Sequence, residues 1–306
     1  MKNDTSRTIK HDPECNSLRA WILASRPKTL TGAAIPVFIG SSLSFSDGSF
    51  KLIPALLCLA FAVLMQISAN YINDLFDYLK GSDRSDRLGP DRACAKGWIT
   101  VKAMKWGIFA SVAAACLSGF FLIFYGGWGL IFAGAVCILF AFLYTAGPYP
   151  LSYYGWGDVL VLVFFGIVPV GGTYYVQTLQ YTPEVAIASL ACGMVIDTLL
   201  VINNFRDRET DAREGKRTII VRMGEDFGKH FYLILGCAAA ALCLTFAVSG
   251  MWPAAILPMF YLIPHVSSWK KMVKLKEGKN LNMILGETSG NMLLFGILLS
   301  LGIILS

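Results

Sequence analysis

Two groups of Asn and Asp hold the residue types from which a divalent-metal and phosphate site is built. The first contains Asn70, Asn73, Asp74, Asp77 and Asp83, and the second Asn203, Asn204, Asp207, Glu209 and Asp211. Asn70, Asp74 and Asp77 are spaced i, i+4, i+7, and Asn203, Asp207 and Asp211 i, i+4, i+8. On a helix each set shares one face. Their oxygens are hard ligands suited to Mg²⁺, which is typically held by one or two carboxylates together with substrate phosphates. Neither group contains His or Cys, which argues against zinc. Arg84, Lys216 and Arg217 follow the two groups, and Arg26 and Lys28 lie near the start of the first apolar run. Arg forks match phosphate oxygens two at a time. Metal and cations together would stabilise a departing diphosphate.

The elements that carry these groups are long apolar runs. The 306-residue chain is 55% hydrophobic and only 15% charged, where a soluble domain has about 25% charged residues. A bilayer crossing needs about 20 apolar residues. The pattern predicts an all-α polytopic membrane protein with nine transmembrane helices, over about 20–43, 52–79, 103–124, 128–146, 157–178, 185–205, 230–250, 252–269 and 284–305. Residues 1–19 form a polar N-terminal tail, and 20–306 a single nine-helix domain. Each acidic group closes an apolar run and opens a long basic loop, 80–102 and 206–229. That repeated placement suggests two related four-helix halves plus a ninth helix. Long loops of this kind are usually lids or binding loops. Carboxylates at membrane depth cost roughly 2.5–3.5 kcal/mol on insertion scales, so two such clusters mark function.

Charge supplies the orientation. All of the 26 Lys and Arg except Lys51 fall in the N-terminal segment or in the loops after the second, sixth and eighth runs. Alternating helices place these four groups on one side. The positive-inside rule then predicts a multi-pass protein of the cell membrane, with its N-terminus and both acidic groups in the cytoplasm and its C-terminus outside. The net charge of +6 reflects topology and phosphate binding, and no basic soluble domain is present to engage nucleic acid. The first twenty residues lack the apolar stretch of a signal peptide. The eight Cys show no CxxC spacing and lie mostly in apolar runs, as small helix residues do. The three His are scattered, so neither zinc nor haem is implied.

These residues resemble the UbiA superfamily of intramembrane aromatic prenyltransferases. The family's NDxxD is matched by Asn73, Asp74 and Asp77, with a further Asp displaced to Asp83. Its DxxxD with a following Lys is matched by Asp207, Asp211 and Lys216. The stretches Arg26 to Leu30, Gly89 to Arg92, Tyr144 to Pro148, Gly172 to Thr178, Gly215 to Thr218 and Leu281-Asn282 resemble the branch that acts on 1,4-dihydroxy-2-naphthoate.

The resemblance implies transfer of a polyprenyl chain from polyprenyl diphosphate to the carboxylate-bearing ring carbon, with loss of CO₂ and diphosphate, giving demethylmenaquinone. Asp74, Asp77, Asp207 and Asp211 are then the catalytic acids and hold Mg²⁺ with Asn70 and Asn203. Arg26, Lys28, Arg84, Lys216 and Arg217 take the diphosphate. Tyr144, Asp158 and Tyr174 are candidates for the aromatic pocket. Two alternatives stay open: another aromatic acceptor such as 4-hydroxybenzoate or homogentisate, and an ion-coupled transporter. Transport favours acids near the midplane on broken helices, whereas these acids gather at helix ends beside basic loops.

Overall fold

The structure, a computed structural model, describes residues 12–82 and 88–306. Among them there are helices and turns and no strand. In chain order they are α1 (Leu18–Ala24), α2 (Pro27–Ser46), α3 (Leu52–Lys80), α4 (Val101–Gly126) and α5 (Gly129–Thr145). A 3₁₀ turn (Leu151–Tyr154) leads into α6 (Gly157–Val161), which continues through a π turn (Leu162–Ile167) into α7 (Val168–Thr178). Then come α8 (Pro183–Arg213), α9 (Ile219–Met223), α10 (Glu225–Cys243), α11 (Trp252–Ile256), α12 (Leu262–Leu275) and α13 (Leu281–Ile304).

Seven helical runs among the described residues are long and apolar enough to cross a membrane: α2, α3, α4, Gly157–Thr178, α8, Glu225–Ser249 and α13. Of the other two expected spans, α5 is apolar but only 17 residues long. The region from Trp252 to Leu275 is broken by a 3₁₀ turn (Leu257–Tyr261) and carries Lys270, Lys271 and Lys274.

Two boundaries differ from the sequence reading and one agrees with it. The first apolar run is two helices, because Arg26 takes a left-handed conformation (φ 51°, ψ 71°) and α2 restarts at Pro27. Proline disfavours the right-handed helical state in the residue before it. α8 continues to Arg213, so the whole second acidic group is helical. The turn between the seventh and eighth runs falls at Gly250 (φ 78°), as its Gly and the following Pro253 suggest.

The loop after α3 is not a free flap along its described length. Ala93, Cys94 and Ile99 are buried in one apolar cluster with Ala20 and Ala24 of α1, Ile72 and Leu75 of α3 and Met104 of α4. The last helix packs on the first long one, α13 on α2, and α8 packs against α10 and the π turn. Apolar lipid gives helices no hydrophobic reason to associate, so close backbone approach through small residues does that work. A Cβ on Gly166 would stand 2.4 Å from the carbonyl oxygen of Ser189, and one on Gly193 3.1 Å from the Cα of Leu162. The α8 crossing therefore requires Gly166, and at Gly193 any Cβ would push the π turn back by a few tenths of an ångström.

Gly193→Leu overpacks this crossing and is expected to cost about 1–3 kcal/mol. Gly290→Ala, whose Cβ meets nothing within 4 Å, is expected to be close to neutral. Thermal unfolding of the purified protein in detergent compares the two, and equal midpoints would refute the crossing argument.

Candidate active site

A cavity of about 430 Å³ opens between α2, α3, α4, α5, the α6–α7 run and α8. Its polar end is formed by Arg26, Asn70, Asn73, Tyr144 and Asn203, and its far end by apolar groups such as Val37, Leu122, Leu130 and Val176. Asn73 of the first group and Asn203 of the second line that end, and the carboxylates of both groups follow in the last turns of α3 and α8. The α1–α2 break turns Arg26 into the wall of the cavity. A left-handed non-glycine residue costs of order 1–3 kcal/mol and persists where its surroundings enforce it.

The first group divides along α3. The Asn70 amide donates to the Ser25 carbonyl at 2.8 Å and to the Thr29 hydroxyl at 3.1 Å, bracing the α1–α2 break. Asn73 lines the cavity and accepts from the Thr145 hydroxyl. Asp74 is buried, and its two oxygens accept the backbone N–H groups of Ala93 and Cys94, both at 2.8 Å. Asp77, one turn beyond Asn73, accepts from the buried Arg92 guanidinium at 2.7 Å.

The second group is organised by Arg206, which is only 3% exposed. Its guanidinium grips both oxygens of Asp207, at 2.8 and 2.5 Å, and donates to Asn203 at 2.7 Å and to Asn282 at 2.8 Å. Asn282 in turn donates to the carbonyl of Leu88 at 2.8 Å. The second group is thereby tied to the loop that follows the first. Lys216 links the two through its charge. It lies 3.1 Å from Asp211 and 3.2 Å from Glu214, and it also feels the charge of Asp77. Burial works against its ammonium, but Asp211, Asp77 and Glu214 outweigh that and hold its pKa above the usual lysine range. The Tyr153 ring lies between two cations, Lys80 at 4.9 Å and Lys216 at 5.2 Å from its centroid. Arg217, exposed, lines a second hollow with Lys80, Tyr153 and Gly215.

Of the other residues named from sequence, Lys28 is exposed and does not line the cavity. Tyr144 lines it and feels the charge of Asp158. Tyr174 lies apart from them, its hydroxyl bonded to Asp47 at 2.5 Å beyond the opposite end of α2 from Arg26. Arg84 and Asp83 lie outside the described residues.

No group of three or more His, Cys, Asp or Glu able to hold a metal occurs among the described residues. The donor set still fits Mg²⁺. It is all oxygen, and a hard ion that arrives with a substrate's phosphates needs only one or two protein carboxylates. The geometry is that of a charged mouth, acids and cations interleaved, at the end of an apolar pocket.

Residues 33–283 match the model of the UbiA prenyltransferase family. The chain belongs to that family. A 1,4-dihydroxy-2-naphthoate octaprenyltransferase of Haemophilus influenzae is 38% identical over 300 residues, covering 94% of this chain and 96% of that protein. One from Escherichia coli is 34% identical over 304 residues, covering 96% and 98%. The fold also matches solved structures. The apo structure of a UbiA homologue from Aeropyrum pernix K1 aligns with a TM-score of 0.66 at 17% identity, covering 92% of this chain and 98% of that one. A UbiA homologue from Archaeoglobus fulgidus, bound to GPP and Mg²⁺, aligns with a TM-score of 0.65 at 17% identity, covering 94% and 100%.

The spacing of the acids assigns no partner to Asn73, Arg92 or Asn282. Asn73 stands beside Asp74 and one helical turn before Asp77. Arg92 and Asn282 lie within stretches of family resemblance but carry no local signal of their partners. Asp197 stands alone in an apolar run.

Asp74→Asn puts an amide where a backbone N–H needs an acceptor. It is expected to lower stability by about 2 kcal/mol, the scale of a lost charge-assisted bond, and to speed proteolysis within 88–99. Unchanged protease resistance in that loop would show that Asp74 does not hold it.

Proposed function

We propose that this UbiA-family prenyltransferase transfers a polyprenyl chain from polyprenyl diphosphate to 1,4-dihydroxy-2-naphthoate, releasing CO₂ and diphosphate and yielding demethylmenaquinone. The observation that supports this reading is the cavity itself, an apolar pocket lined at one end by Asn73 of α3 and Asn203 of α8, each one helical turn before a carboxylate of its group. The two octaprenyltransferase relatives support the choice of acceptor.

In this reading Asp77, Asp207 and Asp211, with Asn73 and Asn203, would hold Mg²⁺. The ion, when bound, neutralises charge on the diphosphate and eases its departure. Asn70 and Asp74, named as ligands from spacing, instead brace the α1–α2 break and the 88–99 loop. Arg26 and Lys216 face the diphosphate, with Arg217 and Lys28 at the outer rim. The apolar far end takes the prenyl tail, and Phe140 and Phe164 shield the allylic cation from water.

The same reading includes nine crossings, α5 and the Trp252 to Leu275 region being the two beyond the long runs. The N-terminus and the mouth face the cytoplasm, as the basic loops favour. Cysteine labelling from either side of sealed vesicles, at Cys15 and at a Cys introduced for Ser306, tests that orientation.

With Mg²⁺, mixed prenyl diphosphates and either dihydroxynaphthoate or 4-hydroxybenzoate, mass spectrometry is expected to find a prenylated naphthol only. Prenylated hydroxybenzoate alone would overturn the acceptor. Asp207→Asn is expected to cut turnover at least about a hundredfold, since metal-borne stabilisation is worth several kcal/mol and each 1.36 kcal/mol is tenfold. Wild-type turnover in that variant would overturn the metal role.

A further inference from the structure

The end of α3, the loop after α5 and the loop after α8 meet around a second hollow of about 460 Å³, which shares no lining residue with the prenyl cavity. Its three walls are tied together. The Arg217 backbone N–H donates to the Tyr153 carbonyl at 2.7 Å, the Arg222 guanidinium to the Tyr154 carbonyl at 2.8 Å, and the Lys80 ammonium to the Thr145 carbonyl. The Tyr153 and Ser82 hydroxyls stand 3.0 Å apart. A Cβ on Gly155 would stand 2.8 Å from the Arg217 carbonyl oxygen, so the two loops meet main chain to main chain.

The charge of the hollow is one-sided. Lys80 and Arg217 line it, both exposed, and no Asp or Glu does. Lys216 adds its charge from the Tyr153 ring, which it faces at 5.2 Å. Neither Lys80 nor Arg217 has an ion-pair partner among the described residues. The mouth of the prenyl cavity is built differently, since there Arg92, Arg206 and Lys216 each hold a carboxylate. A diphosphate that travels with Mg²⁺ needs acids to address the ion. Cations without acids suit an anion that brings no metal, such as a phosphodiester. The volume lies in the range of small-molecule sites, about 300–1,000 Å³.

The surroundings favour lipid over a free anion. Tyr149, Tyr154 and Trp156 are exposed in the loop that forms one wall, with the two tyrosine rings 5.9 Å apart. Exposed tyrosine and tryptophan rings sit at headgroup level in membrane proteins. Exposed apolar side chains flank the loop on both sides in sequence, Leu139 and Leu143 on α5 and Val159 on α6. The orientation proposed above puts this end of the bundle at the cytoplasmic leaflet, where basic pockets between transmembrane helices bind anionic headgroups. We propose that the hollow is a binding site for an anionic phospholipid, with the headgroup phosphate between Lys80 and Arg217, the aromatic rim at the interface and the acyl chains along α5 and α6. The bound phosphate offsets the repulsion among Lys80, Lys216 and Arg217. It thereby steadies the Tyr153 turn against Lys216, the residue that holds Asp211.

Native mass spectrometry of the delipidated full-length protein in detergent, without prenyl substrates, reads the site. Wild type is expected to bind phosphatidylglycerol about tenfold more tightly than phosphatidylcholine, the effect of two cations partly screened. Arg217→Gln removes no side-chain hydrogen bond among the described residues and should weaken phosphatidylglycerol about fivefold. Adding Lys80→Gln should abolish the preference over phosphatidylcholine. Lys102→Gln, which alters an exposed cation of α4 outside the hollow, should leave it unchanged. Equal binding of the two lipids by wild type, or an equal loss in Lys102→Gln, would overturn the proposal. So would displacement of the lipid by inorganic phosphate or diphosphate at the lipid's own concentration, which marks a free-anion site. The readout involves no turnover, so its failure is distinct from failure of the prenyl transfer, which shows as absence of prenylated naphthol.

Discussion

Three carboxylates at the ends of α3 and α8 are each held against a cation of the chain itself: Asp77 by Arg92, Asp207 by Arg206 and Asp211 by Lys216. Concentrating acids beside a membrane interior is costly, and the cost falls only if opposite charge stands within a few ångströms. The chain supplies that charge from residues adjacent in sequence (Arg206, Lys216) and from the anchored loop (Arg92). Such pairs are also what a diphosphate with a divalent ion requires, since carboxylates address the ion and cations address the phosphate oxygens. In the proposed reading one arrangement would serve both the ligand-free protein and the loaded one.

The pairing explains why the loop after α3 is built as it is. A long loop bearing Arg92 could hold Asp77 only loosely if it were free. Instead Ala93 and Cys94 give their N–H groups to Asp74 and their side chains to an apolar cluster, while Asn282 holds the loop at Leu88. Asp74 and Arg92 are therefore one device, in which a buried carboxylate fixes the backbone that delivers the guanidinium. The same Asn282 receives Arg206, so the second group is oriented by the element that restrains the first group's loop.

Periodicity and composition made the long helices legible, because twenty apolar residues in a row admit few other structures. They also located both acidic groups, since carboxylates stand out against such runs. Spacing alone could not sort Asn70 from Asn73 or Asp74 from Asp77. All four share a helix face, and their different partners (Ser25, Thr145, the 93–94 backbone, Arg92) come from segments far away in sequence. The α1–α2 break was hidden for a similar reason, since Arg26-Pro27 reads equally well as the first turn of a helix. Asp197 was passed over because one acid in an apolar run has no pattern, and only the packing of α6 on α8 gives it Asp158 as a neighbour. Charge counting also obscured the end of α8, where acidic and basic residues resemble a loop although the helix continues to Arg213.

Along α8 the polar positions form a sequence by depth. Asp211 and Asp207 stand nearest the basic loop, Asn203 reaches the cavity, and Asp197 lies one and two-thirds turns further in. For carbon–carbon bond formation at the atom that leaves diphosphate, the second reactant must stand on the tail side of that atom. A site on the outer side would meet the departing anion instead. α8 runs unbroken from the acidic group past this depth. A transporter's midplane acids, by contrast, favour a helix that unwinds around the ion. The π turn beside Asp158 does not supply such a break, because Gly166 and Gly193 press it closely against α8. The π turn and α8 are thereby packed as one rigid unit along that side of the cavity.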